Sequence, residues 1–308
     1  MKLQILVSQQ NQPEKVLRNL LDSIRLQQGI DFSEIEVLLG TDSDDVNLSD
    51  FFFTSYPYSI QYARYDSNVW QHLLDEATAE YVMLCNPDCI FMSALGFYTL
   101  FAYMQKGFDI LTLGGIREVY DTKTDNVKYL PYTDNKYIHG KVYRRRHLVD
   151  KKIVWQTEDF DTSLFNLLAR ETAMTKEICK SSIYLWRDNI DDLKTYPNTI
   201  ESNTHLIKEL LTRNLYNKAK YQIGFLVYNT YFMLNKSIWL DPMNAKYRYE
   251  TEKKFKQYYK KYKEFFNTLD QTDKGFIISN ILKQVQSEGL LLVNFTFEDW
   301  MNHIEELD

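Results

Sequence analysis

Short apolar runs broken by polar turns fill the first part of the chain, and apolar positions at helical spacing fill the last part. Leu3, Ile5, Leu6 and Val7 predict a strand within Met1 to Gln10, followed by Ser8-Gln9-Gln10-Asn11 and a helix from Pro13 to Gln28. Ile35 to Leu39 predict a second strand, ending in the acidic turn Thr41-Asp42-Ser43-Asp44-Asp45. Phe51-Phe52-Phe53 and Tyr56-Pro57-Tyr58 read as an aromatic-anchored loop leading to a third strand at Ile60 to Tyr62. Val69, Leu73, Leu74 and Ala77 share one helical face, with Asp66, Ser67 or Asn68 available as the cap. Tyr81 to Cys85 has the length of a buried strand, and Pro87, which lacks an N–H and has a fixed φ, stops it at Asn86.

Asn86-Pro87-Asp88 therefore presents an amide and a carboxylate at a strand end. In an open α/β sheet ligands sit beyond the carboxyl ends of the strands, so this turn either holds a polar ligand or metal or merely ends the strand. Leu95 to Gln105 predict a helix and Ile110 to Leu113 a strand, with Gly114-Gly115 as a turn. Residues 117 to 136 predict an excursion with a hairpin of Val119 to Tyr120 against Val127 to Leu130. Ile138 to Tyr143 predict a strand that leads into Arg144-Arg145-Arg146, which is either a solvated charged loop or a phosphate-neutralising cluster. Glu158-Asp159-Phe160-Asp161 precede a helix carrying Leu164, Phe165, Leu167 and Leu168, a position where an acid also serves as a cap. Asp188 to Asn203 read as a polar connection, placing the boundary between an α/β unit, 1–198, and a helical unit, 199–308. In the latter, Gln222, Asn229, Asn235 and Lys236 interrupt the apolar stretch Tyr221 to Leu240, which suits a buried helix rather than a membrane span.

Composition narrows the classes. A chain of 308 residues with 44% hydrophobic content can bury a large core. A net charge of −6 argues against a general nucleic-acid-binding surface. Cys85, Cys89 and Cys179 are too few and too unevenly spaced for a zinc cage, and suit reduced thiols in a cytoplasmic protein. Met1-Lys2-Leu3 leads straight into the first strand, so no signal peptide is expected.

Five segments in order carry a resemblance. They are the first strand with Leu17, Leu20-Leu21-Asp22-Ser23-Ile24 and Gln27; the acidic turn at Asp42; Ala77-Thr78-Ala79-Glu80-Tyr81 running into Asn86-Pro87-Asp88; His139-Gly140-Lys141-Val142-Tyr143-Arg144; and Glu158-Asp159. Over residues 1 to 190 this pattern resembles the family-2 inverting glycosyltransferases. The resemblance implies a GT-A (Rossmann-like) mixed sheet flanked by helices, followed here by an α-helical C-terminal region. It also implies hexosyl-type transfer from a UDP- or dTDP-sugar to an acceptor hydroxyl, commonly on a glycan, teichoic acid, lipid or protein. Trp70-Gln71-His72 stands where the family often carries Arg-Asn-x-Gly.

By the same resemblance, Asp159 is the base that deprotonates the acceptor, and Asp88 holds a divalent cation, Mn2+ or Mg2+, on the departing diphosphate. Ser8, Asp42, Asn86, Lys141 and Arg187 line the donor pocket, Asp42 toward the base or ribose and Arg187 toward the diphosphate. Asn86 stands where an Asp is usual, and the alternative reading is a GT-A domain that binds a nucleotide-sugar or partner without turnover. His72 and His139 are either ligands and bases or packing residues. On Lys253 to Phe266 aromatics predict one helical face and lysines the other, suiting either a bundle helix or peripheral contact with the inner membrane face.

Overall fold

The computed structural model describes residues 1–9, 13–41, 56–121, 126–132, 138–155, 162–189, 192–235, 244–287 and 296–307. The chain divides into two compact units, Met1–Ile190 and Asp191–Asp308.

Among the described residues of the first unit, nine strands form one mixed sheet. Strands β1 (Leu3–Ser8), β2 (Ile35–Thr41), β3 (Ser59–Arg64) and β4 (Tyr81–Cys85) lie in the order β3-β2-β1-β4, all parallel. Every residue of β1, β2 and β4 is buried, as expected of parallel strands covered on both faces. Helix α1 (Glu14–Arg25) buries Leu17, Leu20, Leu21 and Ile24, spaced i, i+3, i+4, i+7, against the face carrying Leu3, Ile5 and Val7. Each of these side chains contributes about 1.5–3 kcal/mol by leaving water. Helix α2 (Val69–Glu76) begins at the carboxyl edge, where Val69 and Leu73 pack over Gly40 of β2.

Gln4 of β1 lies inside the sheet and is bonded at both ends of its amide. Its amide nitrogen donates to Glu36 and its oxygen accepts from the N–H groups of Thr78 and Ala79 beyond α2. These bonds offset the cost of burying the amide.

The remaining strands are β5 (Ile90–Phe91), β6 (Ile110–Asp121), β7 (Asn126–Tyr132), β8 (Lys141–Arg144) and β9 (Lys176–Asn189). The helices among them are α3 (Gly96–Lys106), α4 (Arg145–Asp150) and α5 (Thr162–Thr172). Strand β8 joins β4 antiparallel, β6 joins β8 antiparallel, and β9 runs parallel to β6. The predicted hairpin is present, with Val119 opposite Lys128 and Tyr120 opposite Val127. Gly114 and Gly115 differ from expectation, lying inside β6 at register shifts against β9 rather than in a turn. A Cβ would stand 2.7 Å from the Ser181 oxygen at Gly114 and 2.5 Å from the Tyr184 oxygen at Gly115. The glycine pair thus admits close backbone approach by a neighbouring strand.

In the second unit, α6 (Asp192–Thr212) runs through most of the stretch expected as a polar connection. Ile200, Leu206, Ile207 and Leu210 of α6 are buried. Helices α7 (Tyr216–Leu234), α8 (Ala245–Asn267), α9 (Gln271–Ser287) and α10 (Phe297–Glu306) complete the unit. Phe255, Tyr258, Tyr262 and Phe266 of α8 are buried, with Phe255 against Trp300 of α10. The aromatic face is therefore committed to the bundle, while Lys253, Lys260, Lys261 and Lys263 stay exposed. Among the described residues no helix is long and apolar enough to cross a membrane.

Candidate active site

The carboxyl ends of β1, β2 and β4 are brought side by side by register alone. Ser8 pairs with Gly40, and Val7 pairs with both Leu39 and Cys85, so Ser8, Thr41 and Asn86 finish three adjacent strands at one edge. Ser8 is 5% exposed, and its buried hydroxyl has no hydrogen-bond partner among the described residues. A buried hydroxyl at the mouth of a parallel sheet is suited to a ligand that supplies the missing bond. Asp42 follows Thr41 directly but lies outside the described residues.

Asn86-Pro87-Asp88-Cys89 forms a tight turn, closed by the Cys89 N–H donating to the Asn86 oxygen at 3.2 Å. Pro87 sits at the second position of this turn, where its fixed φ suits the geometry, and Asp88 follows at the third. Asn86 and Asp88 are both half-buried. Cys89 donates its thiol to Asp88 Oδ1 at 3.8 Å and accepts from the Tyr184 hydroxyl of β9. Burial pushes the Cys85 and Cys89 thiols and the Tyr184 hydroxyl well above their ordinary pKa values, so all three stay protonated.

Lys141 reaches the same edge from the other direction. Strand β8 runs antiparallel to β4 with Val142 opposite Met83, so its first residue, Lys141, lies toward the carboxyl end of β4. Lys141 is 1% exposed and donates to the His139 oxygen at 2.9 Å. His139, also buried, stacks on Trp186 with ring centres 4.4 Å apart, and the Arg117 guanidinium lies 5.6 Å from the Trp186 ring. This cation–π contact orients Arg117 on the part of β6 that extends past its pairing with β8. Arg187 is opposite Glu118 in β9, and its side chain lies outside the described residues.

The arginine cluster is elsewhere. Arg144 pairs with Tyr81, the first residue of β4, roughly 13 Å from the strand's other end at about 3.3 Å per residue. Arg144 forms an ion pair with Glu80 and Arg146 one with Asp150, both exposed, so this is a charged surface at the amino edge and not a phosphate clamp. His72 is exposed and stacks on Tyr65.

Glu158 and Asp159 lie outside the described residues, but the chain just before them is held. Trp155 donates its N–H to Gln71 Oε1 at 2.6 Å, and its oxygen accepts from Asn68 Nδ2 at 3.1 Å. Trp70 packs on Trp155 with ring centres 5.5 Å apart. Asn68, in the left-handed region at φ 48°, starts α2 at the carboxyl edge, so Trp155 is anchored there too. The sequence marks Asn68 only as a candidate cap and Trp70-Gln71 only as a departure from the family pattern, because their shared partner Trp155 is more than eighty residues away.

Among the described residues no three His, Cys, Asp or Glu side chains cluster to hold a metal. Asp88, with the Asn86 amide beside it, offers one carboxylate, and a Mg2+-type ion is commonly held by one or two carboxylates plus substrate phosphates and water. That donor set fits a cation carried in with a diphosphate.

No family model and no curated protein sequence matches the chain. Solved structures do. S. aureus TarS 1–349 is 15% identical with a TM-score of 0.64, covering 92% of this chain and 92% of that one. S. aureus TarS 1–349 in complex with UDP-GlcNAc is 14% identical with a TM-score of 0.53, covering 93% and 81%. A further S. aureus TarS structure is 17% identical with a TM-score of 0.63, and the match covers 84% of this chain but spans only 49% of that one. The chain thus has a TarS-type, glycosyltransferase-like fold, a mixed sheet flanked by helices and followed by a helical C-terminal region.

Proposed function

We propose that this chain is a metal-dependent inverting glycosyltransferase that moves a sugar from a UDP-sugar, or a dTDP-sugar, to an acceptor hydroxyl. The observation that carries this reading is the meeting of Ser8, Asn86 and Asp88 at the carboxyl edge of parallel strands, in a fold shared with a structure that binds UDP-GlcNAc. The unsatisfied Ser8 hydroxyl and Asp42 are assigned to the base and ribose, Asn86 to a ribose hydroxyl, and Lys141 and Arg187 to the donor's diphosphate side. Asp88 would share a Mn2+ or Mg2+ with the diphosphate, where the cation supplies Lewis-acid stabilisation of the leaving group. Asp159 removes the acceptor proton from the face opposite the leaving group, as a single displacement requires. The acceptor is proposed as a glycan, teichoic acid or other surface polymer, met from the cytoplasmic side.

A thermal-shift panel of UDP, UDP-GlcNAc, UDP-glucose and dTDP-glucose, with and without Mn2+, tests the donor, since a ligand selective for the folded state raises Tm. UDP-sugar hydrolysis tests the chemistry. Asp159→Asn is expected to abolish hydrolysis while donor binding persists. Retention of full hydrolysis in that variant removes Asp159 as base, and a panel with no Tm response removes the function.

A further inference from the structure

Asp88 does not stand alone at the end of β4. Its Oδ1 accepts the Cys89 thiol at 3.8 Å, within sulfur's longer reach, and the Cys89 sulfur accepts the Tyr184 hydroxyl. Cys89 and Tyr184 are 0% and 1% exposed. Phe91 packs edge-on against the Tyr184 ring, with centres 5.8 Å apart. β5 pairs Phe91 with Tyr184 and Ile90 with Leu185 immediately after the turn. Gly115 lets the Tyr184 backbone come close to β6. Thus β9, nearly a hundred residues downstream, reaches behind the turn and bonds the residue next to Asp88.

From this geometry we infer that Tyr184 and Cys89 are positioning residues that set the orientation of the Asp88 carboxylate, and so the affinity of a divalent cation shared with a nucleoside diphosphate. The relay rests on the proposed role of Asp88 as the acid that holds that cation. Neither side chain touches the ligand. Tyr184 holds the sulfur, and the thiol proton then points at Asp88 Oδ1 and sets the direction of the carboxylate. Groups behind a metal ligand fix its rotamer in this way, and removing them weakens metal affinity or activity.

The test is calorimetric titration of UDP into the full chain with and without Mn2+, on wild type, Tyr184→Phe, Cys89→Ala, Cys89→Ser and Tyr184→Phe/Cys89→Ala. Tyr184→Phe and Cys89→Ala are expected to lower UDP affinity in Mn2+ by about tenfold, the low end for groups behind a metal ligand. UDP affinity without metal should stay within about twofold, since these residues touch neither base nor ribose on this reading. Cys89→Ser keeps a donor toward Asp88 and is expected to retain most of the Mn2+ effect. If Tyr184 acts through Cys89, the double variant loses no more than Cys89→Ala alone. Equal losses with and without Mn2+ would mark a general structural effect and overturn the relay. Unchanged Mn2+-dependent affinity in both single variants would overturn it while leaving the functional reading intact. A wild type whose UDP affinity ignores Mn2+ would remove the role of Asp88 and the relay with it.

Discussion

Gly115→Ala tests the most unusual joint in the sheet. The added methyl would stand 2.5 Å from the Tyr184 carbonyl oxygen, where real Cβ atoms essentially never come within 3.0 Å. The obstacle is the backbone of β9, so relief requires one strand to move by at least half an ångström. Overpacking of this kind costs about 1–3 kcal/mol, and a rigid opponent argues for the upper part of that range. For a unit of this size each kcal/mol lowers Tm by about 2–4 °C, which gives an expected drop of about 4–12 °C. Differential scanning calorimetry of wild type and variant measures it. Gly275→Ala is the control, because its Cβ meets nothing within 4 Å and it lies within helix α9. That substitution is expected to stabilise the second unit by about 0.5–1 kcal/mol. A Gly115→Ala protein melting within about 2 °C of wild type, against the loss calculated above, would refute the close approach of β6 and β9.

Two further outcomes follow from buried or bonded groups. At Asp109 burial raises the carboxyl pKa, but the N–H groups of Thr175 and Met174, donating to Oδ2 at 3.0 and 2.8 Å, outweigh it and hold the value below 3.8. The folded form therefore binds this proton less readily than the unfolded chain, so the stabilisation is present above about pH 4 and lost as pH falls through the lowered value. Urea unfolding from pH 7 to pH 3 should show Asp109→Asn about 1 kcal/mol less stable than wild type at pH 7, with the gap closing in acid; a gap that widens in acid contradicts the sign. All three cysteines are buried. A thiol reagent such as Ellman's should leave them nearly untouched in the native protein and titrate all of them in guanidinium, and rapid native labelling would contradict the burial.

The parts of the fold legible in sequence are those set by local pattern. β1, β2 and β4 announce themselves as apolar runs because both faces are covered, and α1 by its four core positions. The Asn-Pro-Asp turn was legible because proline stops a strand wherever its neighbours lie. What escaped depends on remote partners. Arg144-Arg145-Arg146 could be assigned to phosphate only until β8 was known to run against β4, which sends the cluster to the amino edge. Gly114-Gly115 read as a turn because β9 is invisible from their neighbourhood. Trp70 looked like a lost contact, whereas it packs on Trp155 ahead of the acidic pair. The aromatics of α8 could have faced a lipid, and only the position of Trp300 shows that they face inward.

The inward turn of those rings has a consequence for how this molecule can diverge. The surface lysines of α8 hold neighbours through exposed ion pairs such as Lys254 with Glu201 and Lys263 with Glu305, each worth little to stability, so their sign can be rewritten, residue by residue, at small cost to the bundle beneath. Descendants of this sequence can therefore change what their helical half attracts or repels long before they change its shape.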